Sequence, residues 1–169
     1  MRRLPIPIKC RMSLAKLIIL WSFIMSGASA EDLYFTATGE EDGKPLIFRS
    51  LHSVPKGSVE SDYPFLISVY WAYKAANEGG MPDAETNEAQ IAFEDALEHL
   101  DKTGISHLML VVTGNGRKEW HWYIKDIETW MRRLNDALSG KPVFPIEIKH
   151  SKQPEWSLYH NFVSGVKGI

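Results

Sequence analysis

Glu119 and His121 stand one residue apart in a stretch whose apolar residues alternate, so a strand there puts both on one face. A carboxylate beside an imidazole can pass protons between reacting groups. A hydrolase-type acid–base site at Glu119 and His121 is the catalytic reading of this pair. The other reading is cross-strand polar pairing on a solvated face. His52, His99, His107, His150 and His160 are scattered, and no two histidines lie two or four apart. Zinc needs three or four converging ligands, so neither a metal nor any other cofactor is expected. A nucleophile is equally hard to place. No Gly-x-Ser-x-Gly elbow occurs, Ser68 and Ser106 sit in strand-rich sequence, and the only cysteine is Cys10. Glu94, Asp95 and Glu98 fall on the outer side of an amphipathic helix and read as a solvated face. Gly114-Asn115-Gly116-Arg117 has the composition of an anion-binding loop, but a phosphate loop opens a helix. This one lies between two strands, where Asn-Gly is a hairpin signal.

The aromatic set is the most unusual feature. Five tryptophans fall within residues 31–169, and Trp71, Tyr73, Trp120, Trp122, Tyr123 and Trp156 cluster on candidate neighbouring strands and the last helix. Such a set either fills a core with large residues, as Trp130 does on a helix's inner stripe, or lines a recognition patch for a protein, peptide or glycan. Those six residues are the candidate binding patch.

These side chains are positioned by a simple order of elements. Leu46–Leu51 reads as a short strand closed by Pro55-Lys56-Gly57-Ser58, after a polar, flexible lead-in over residues 31–45. From Phe65 to Tyr73 apolar and aromatic residues alternate as in a strand. Asp83 caps a helix that ends at Gly104, with Ala89, Ala92, Phe93, Ala96, Leu97 and Leu100 on its inner stripe. Strands over Ile105–Thr113 and Arg117–Lys125 flank the hairpin. Asp126 caps a second helix closed by Gly140. Phe144–Lys149 is a final strand, and Pro154 opens a short helix carrying Trp156, Tyr159 and either Phe162 or Val163. The expected fold is α+β: a ferredoxin-like β-α-β-β-α-β antiparallel sheet with two helices on one face, plus an extra N-terminal strand and a short C-terminal helix. Residues 46–169 form one domain in this reading.

The first thirty residues are of another kind. Arg2, Arg3, Lys9, Arg11 and Lys16 precede an apolar run from Leu17 to Met25, and Ala28-Ser29-Ala30 follows. That is the pattern of a secretory signal peptide cleaved between Ala30 and Glu31. The run is too short for a bilayer span, so no membrane anchor is expected after cleavage. Either Met1 or Met12 can start it. The whole chain of 169 residues carries 19 basic and 21 acidic residues, a formal charge of −2. All five basic residues of the leader leave with it, so residues 31–169 hold 14 bases against 21 acids, or −7. That balance disfavours nucleic acid and anionic membranes. The expected product is a periplasmic or secreted, non-catalytic binding or regulatory module.

Four segments carry a resemblance: Phe65-Leu66-Ile67-Ser68-Val69-Tyr70-Trp71-x-Tyr73, Met81-Pro82-x-x-Glu85-x-Asn87-Glu88, Val111-Val112-Thr113-Gly114-Asn115-Gly116-Arg117-Lys118-Glu119-Trp120-x-x-Tyr123, and Pro154-Glu155-Trp156-x-x-Tyr159. In that order they resemble the bacterial proteins grouped as domain of unknown function family 695, across residues 46–164. The closing motif in such proteins commonly reads Asp-Pro-x-Trp. Gln153 stands where that Asp would be, so a capping role for the acid is not carried over. The family is similar in architecture to the ferredoxin-like regulator of ribonuclease E activity B, a likeness of fold alone that implies no activity.

Overall fold

The computed structural model describes residues 34–166. Its elements are β1 (Tyr34–Glu41), β2 (Lys44–Leu51), β3 (Phe65–Ala72), α1 (Ala84–Lys102), β4 (Ser106–Gly114), β5 (Arg117–Ile124), α2 (Ile127–Leu138), β6 (Glu147–Lys152) and α3 (Ser157–Gly165), with a 3-10 turn at Glu60–Asp62. The six strands form one sheet in the order β1-β2-β4-β5-β3-β6, and every neighbouring pair is antiparallel. The fold is therefore α+β, with a six-stranded antiparallel sheet and three helices. The expected leader, its expected cleavage point at Ala30–Glu31 and Cys10 lie outside the described residues.

The two hairpins follow from their turn residues. Asn115 and Gly116 take positive φ between β4 and β5, as the Asn-Gly pair requires. Asp42 and Gly43 do the same between β1 and β2. This second hairpin corrects the expected lead-in: Tyr34–Glu41 is a full strand paired along its length with β2. Gly114 has a separate reason to be glycine, because a Cβ there would lie 2.4 Å from the Pro45 carbonyl oxygen. β6 also begins later than the reading of Phe144–Lys149. Phe144 and Ile146 pack against the helix-side core before the strand starts, and Pro145 cannot donate to a ladder.

Both helix caps stand where expected. Asp83 accepts the Thr86 amide and Asp126 the Thr129 amide, each at 2.8 Å. α1 and α2 cover one face of the sheet, where Phe93, Leu97, Leu100, Trp130 and Leu134 meet Ile67, Val69, Trp71, Val111, Trp120, Trp122 and Ile124. Full burial of each such side chain contributes roughly 1.5–3 kcal/mol. α3 lies on the opposite face, with Trp156 and Tyr159 against Leu66, Met109 and Tyr123, and Phe162 against Leu46 and Phe48. β4 is therefore covered on both sides, which explains its unbroken apolar run. A bulge at Met109 interrupts its register with β5, and the Met109 carbonyl accepts the Ser50 hydroxyl at 2.8 Å.

Candidate functional site

The sheet separates the six aromatic candidates. Trp71, Trp120 and Trp122 point toward α1 and α2 and are buried, and half-buried Tyr73 packs at the edge of the same core. Tyr123 and Trp156 are buried on the other face beneath α3. Neighbours on β5 alternate between faces, so Trp122 and Tyr123 cannot share a surface. The expected patch is thus corrected to two cores. A large ring loses most surface when sandwiched between layers, and both layers exist here.

Glu119 and His121 are brought together, and Ser68, whose strand-rich setting gave no sign of a role, joins them. Ser68 on β3 faces His121 on β5, and its Oγ lies 2.8 Å from His121 Nδ1. His121 Nε2 lies 3.2 Å from Glu119 Oε2. The other oxygen of Glu119 accepts from Arg117 Nε. Arg117 in turn donates to both oxygens of Glu41 on β1, at 2.5 and 3.0 Å, and Asn115 donates to Glu41 at 2.8 Å. A polar chain thus crosses the far face from β3 to β1. The expected solvated face is corrected here, because His121 and Ser68 are only 3% and 5% exposed. In a neutral His121 that donates to Glu119 through Nε2, Nδ1 is free to accept the Ser68 proton, the polarity of a nucleophile and its base.

The electrostatics hold the two carboxylates and the guanidinium of this network in their charged forms. Burial pushes the Glu119 carboxyl up, but hydrogen bonds from His121 and Arg117 outweigh it and leave the group below its ordinary range. Arg117, then Asn115, hold Glu41 down at about 2. Arg117 is raised by the same two carboxylates, Glu41 first.

Glu94 was also read as solvated, and the structure differs. Its carboxylate accepts Arg49 of β2 at 2.6 Å, Lys118 of β5 at 2.7 Å and the Trp120 indole N–H at 2.8 Å. It borders the apolar stripe of α1, so a sheet wider than the helix pair brings cations to it. Burial acts to raise Glu94, yet Lys118 and Arg49 carry it below its usual range.

A cleft of about 930 Å³ lies between β1 and α3. Phe35, Thr36, Ala37, Thr38 and Gly39 line it consecutively, opposite Phe48 and Phe162. β1 is an outer strand of the sheet, so the cleft lies beside its unpaired edge. Phe35 and Phe162 stack 12° from parallel, and Phe162 sits 5.1 Å from Phe48. Gly39 makes room for this floor, since a Cβ there would meet the Phe48 ring at 2.9 Å. Sequence reasoning missed the cleft because it left β1 without structure.

Among the described residues no group of three or more His, Cys, Asp or Glu is placed to hold a metal ion, and no helix is long and apolar enough to cross a membrane. His160 pairs with Glu60 and His107 with Ser58, each at 2.9 Å.

Residues 34–164 match the family model described as a family of unknown function, DUF695. Neither the curated proteins nor the solved structures compared contain a match.

Proposed function

The chain belongs to this family of unknown function, whose description brings no activity with it, and from the geometry we propose that it is an exported, non-catalytic binding module for an extended peptide. The observation that carries this reading is the Phe-lined cleft along the open edge of β1. A peptide adding as a strand to β1 would gain main-chain hydrogen bonds and place alternate side chains over Phe35, Phe48 and Phe162. β1 lacks the lysines and prolines that commonly blunt an edge strand. The charge of −7 on residues 31–169 and the acids Glu40 and Glu41 favour a neutral or cationic peptide. The basic and apolar pattern of residues 1–30 supports export to the periplasm or beyond, and N-terminal sequencing of the mature protein should then begin at Glu31. The inner β3-α1-β4-β5-α2-β6 run, with strand order β6-β3-β5-β4, supports a ferredoxin-like unit extended by the β1–β2 hairpin.

The test titrates a labelled peptide of alternating Phe and Lys into the protein while following anisotropy and backbone hydrogen exchange. Binding that slows exchange across residues 34–41 and weakens in Phe35→Ala is the expected result. No binding, or binding that leaves β1 exchange unchanged, overturns the reading.

The hydrogen bond between Ser68 and His121 favours a second reading, acid–base chemistry at Glu119 and His121 with Ser68 as nucleophile. It requires Ser68 to be labelled by a fluorophosphonate in the wild type and not in His121→Gln. An unlabelled Ser68 removes it.

A further inference from the structure

The opposite face of the hairpin holds a separate feature. Six strands each occupying about 4.8 Å make a sheet about 29 Å wide, whereas two helices of about 10 Å diameter cover about 20 Å, so about 9 Å is left, close to one helix diameter. α1 and α2 pack on strands β3, β4 and β5, and the β1–β2 hairpin extends the sheet beyond α1. On that overhang Tyr34 and Ile47 are 44% and 42% exposed, and across from them Ile91 on α1 is 47% exposed. These are three of the five exposed large hydrophobic residues among those described. They flank a trough formed by two cavities of about 190 and 290 Å³, which share the Arg49–Glu94 ion pair as a bridge. Asp95, Glu98 and Asp101 of α1 line the larger cavity beside Leu97, with Glu98 paired to Lys102 at 2.8 Å, and Lys118 lines the smaller one.

We propose that this trough between α1 and the β1–β2 hairpin docks a cationic amphipathic helix of a partner protein, completing the helical layer over the sheet. The width left uncovered suits one helix. Tyr34, Ile47 and Ile91 offer an apolar seat, and the acids of α1 select lysine or arginine on the flank facing them. A second copy of this chain is a poorer occupant, because residues 31–169 are acidic overall and would bring like charge to the trough. This surface is distinct from the cleft beside α3.

The probe is an eighteen-residue Leu/Lys amphipathic helix, with a Leu/Glu helix of the same pattern as its counterpart, titrated into the full chain by anisotropy. The expected result is binding of the Leu/Lys helix alone, weakened at least tenfold by the double substitution Asp95→Lys, Glu98→Lys and also by Ile91→Ser. Glu128→Lys on α2 and Phe35→Ala in the cleft should leave it unchanged, so failure of peptide binding at β1 does not decide this test. Circular dichroism of each variant secures that it is folded. Equal binding of both helices, an equal loss in Glu128→Lys, or indifference to the α1 substitutions overturns the proposal. So does a dimer that Ile47→Arg dissociates, since a second copy would then fill the trough.

Discussion

Trp156 and Tyr123 stack with ring centroids 4.4 Å apart and planes 8° from parallel, locking the start of α3 onto β5. The indole N–H donates to the Tyr63 carbonyl at 3.0 Å, and the Tyr123 hydroxyl donates to Gln153 Oε1 at 3.1 Å while accepting the Tyr159 amide. Gln153 Oε1 also accepts the Leu158 amide. A neutral amide thus satisfies one of the open N–H groups at the start of α3. Burial pushes the Tyr123 hydroxyl up to about 12, so it stays a donor at any pH the fold meets.

Trp156→Ala should therefore destabilise the protein by about 3–5 kcal/mol, the usual cost of truncating a buried aromatic. Urea unfolding measures it, and a loss below about 1 kcal/mol would mean that α3 is held elsewhere.

Glu94→Ala should be similarly severe, because it strands the ammonium of Lys118, a residue only 8% exposed. Breaking one half of a buried pair costs about 3–5 kcal/mol. The double variant Glu94→Leu, Lys118→Met should recover part of that loss, since the buried ammonium is removed and Arg49, whose side chain is 42% exposed, can turn to water. A double-mutant cycle without such recovery would contradict the assignment.

Glu41 ties β1 to Arg117, and its pH dependence has a definite sign. Its folded value of about 2 lies below the ordinary 4.5. The stabilisation is complete above about 4.5 and is lost as pH falls toward 2, where the unfolded chain takes a proton that the folded chain refuses. Glu41→Gln should flatten the fall in stability across that window. Partial exposure of both side chains means that added salt should shrink the difference. Identical acid titrations for both proteins would refute the tie.

Gln90 on α1 is fully buried, and neither its amide nitrogen nor its oxygen finds a hydrogen-bond partner among the described residues. An unsatisfied buried amide costs about 1–3 kcal/mol. Gln90→Met, which keeps the length and removes both polar atoms, should raise stability by about 1–2 kcal/mol. Thermal unfolding reads the change, and a lower midpoint would show that the amide is satisfied after all.

The elements best read from sequence are those that local chemistry decides. Asp83 and Asp126 cap their own helices, and Asn115-Gly116 makes its own turn, so no distant residue is needed to recognise them. The two faces of β5 were legible for the same reason, through alternation of Trp120 and Trp122 with Glu119 and His121. β1 was not, because Ala37 and Gly39 are too small to mark its inner face, although Asp42-Gly43 carried the hairpin signal. The link between Ser68 and His121 depends on β3 lying beside β5 with α1 and β4 between them in the chain, which no local pattern encodes. Glu94 escaped for a like reason, as its partners arrive from β2 and β5. The aromatic residues announced large buried surfaces, but the presence of α3 on the second face decided how many cores they fill.

The pairing of β2 with β4 has a consequence for the order of assembly. The β1–β2 hairpin can close on itself within microseconds, yet Ser50 meets Leu110 only after the whole of β3 and α1 has been traversed. Until that loop closes, the hairpin carries Leu46 and Phe48 without the strand and helix that later cover them. Docking of the hairpin onto β4 therefore carries the larger loop-closure entropy of the two pairings. The expected consequence is that refolding yield falls as protein concentration rises, because Leu46 and Phe48 are uncovered until β4 and α3 arrive.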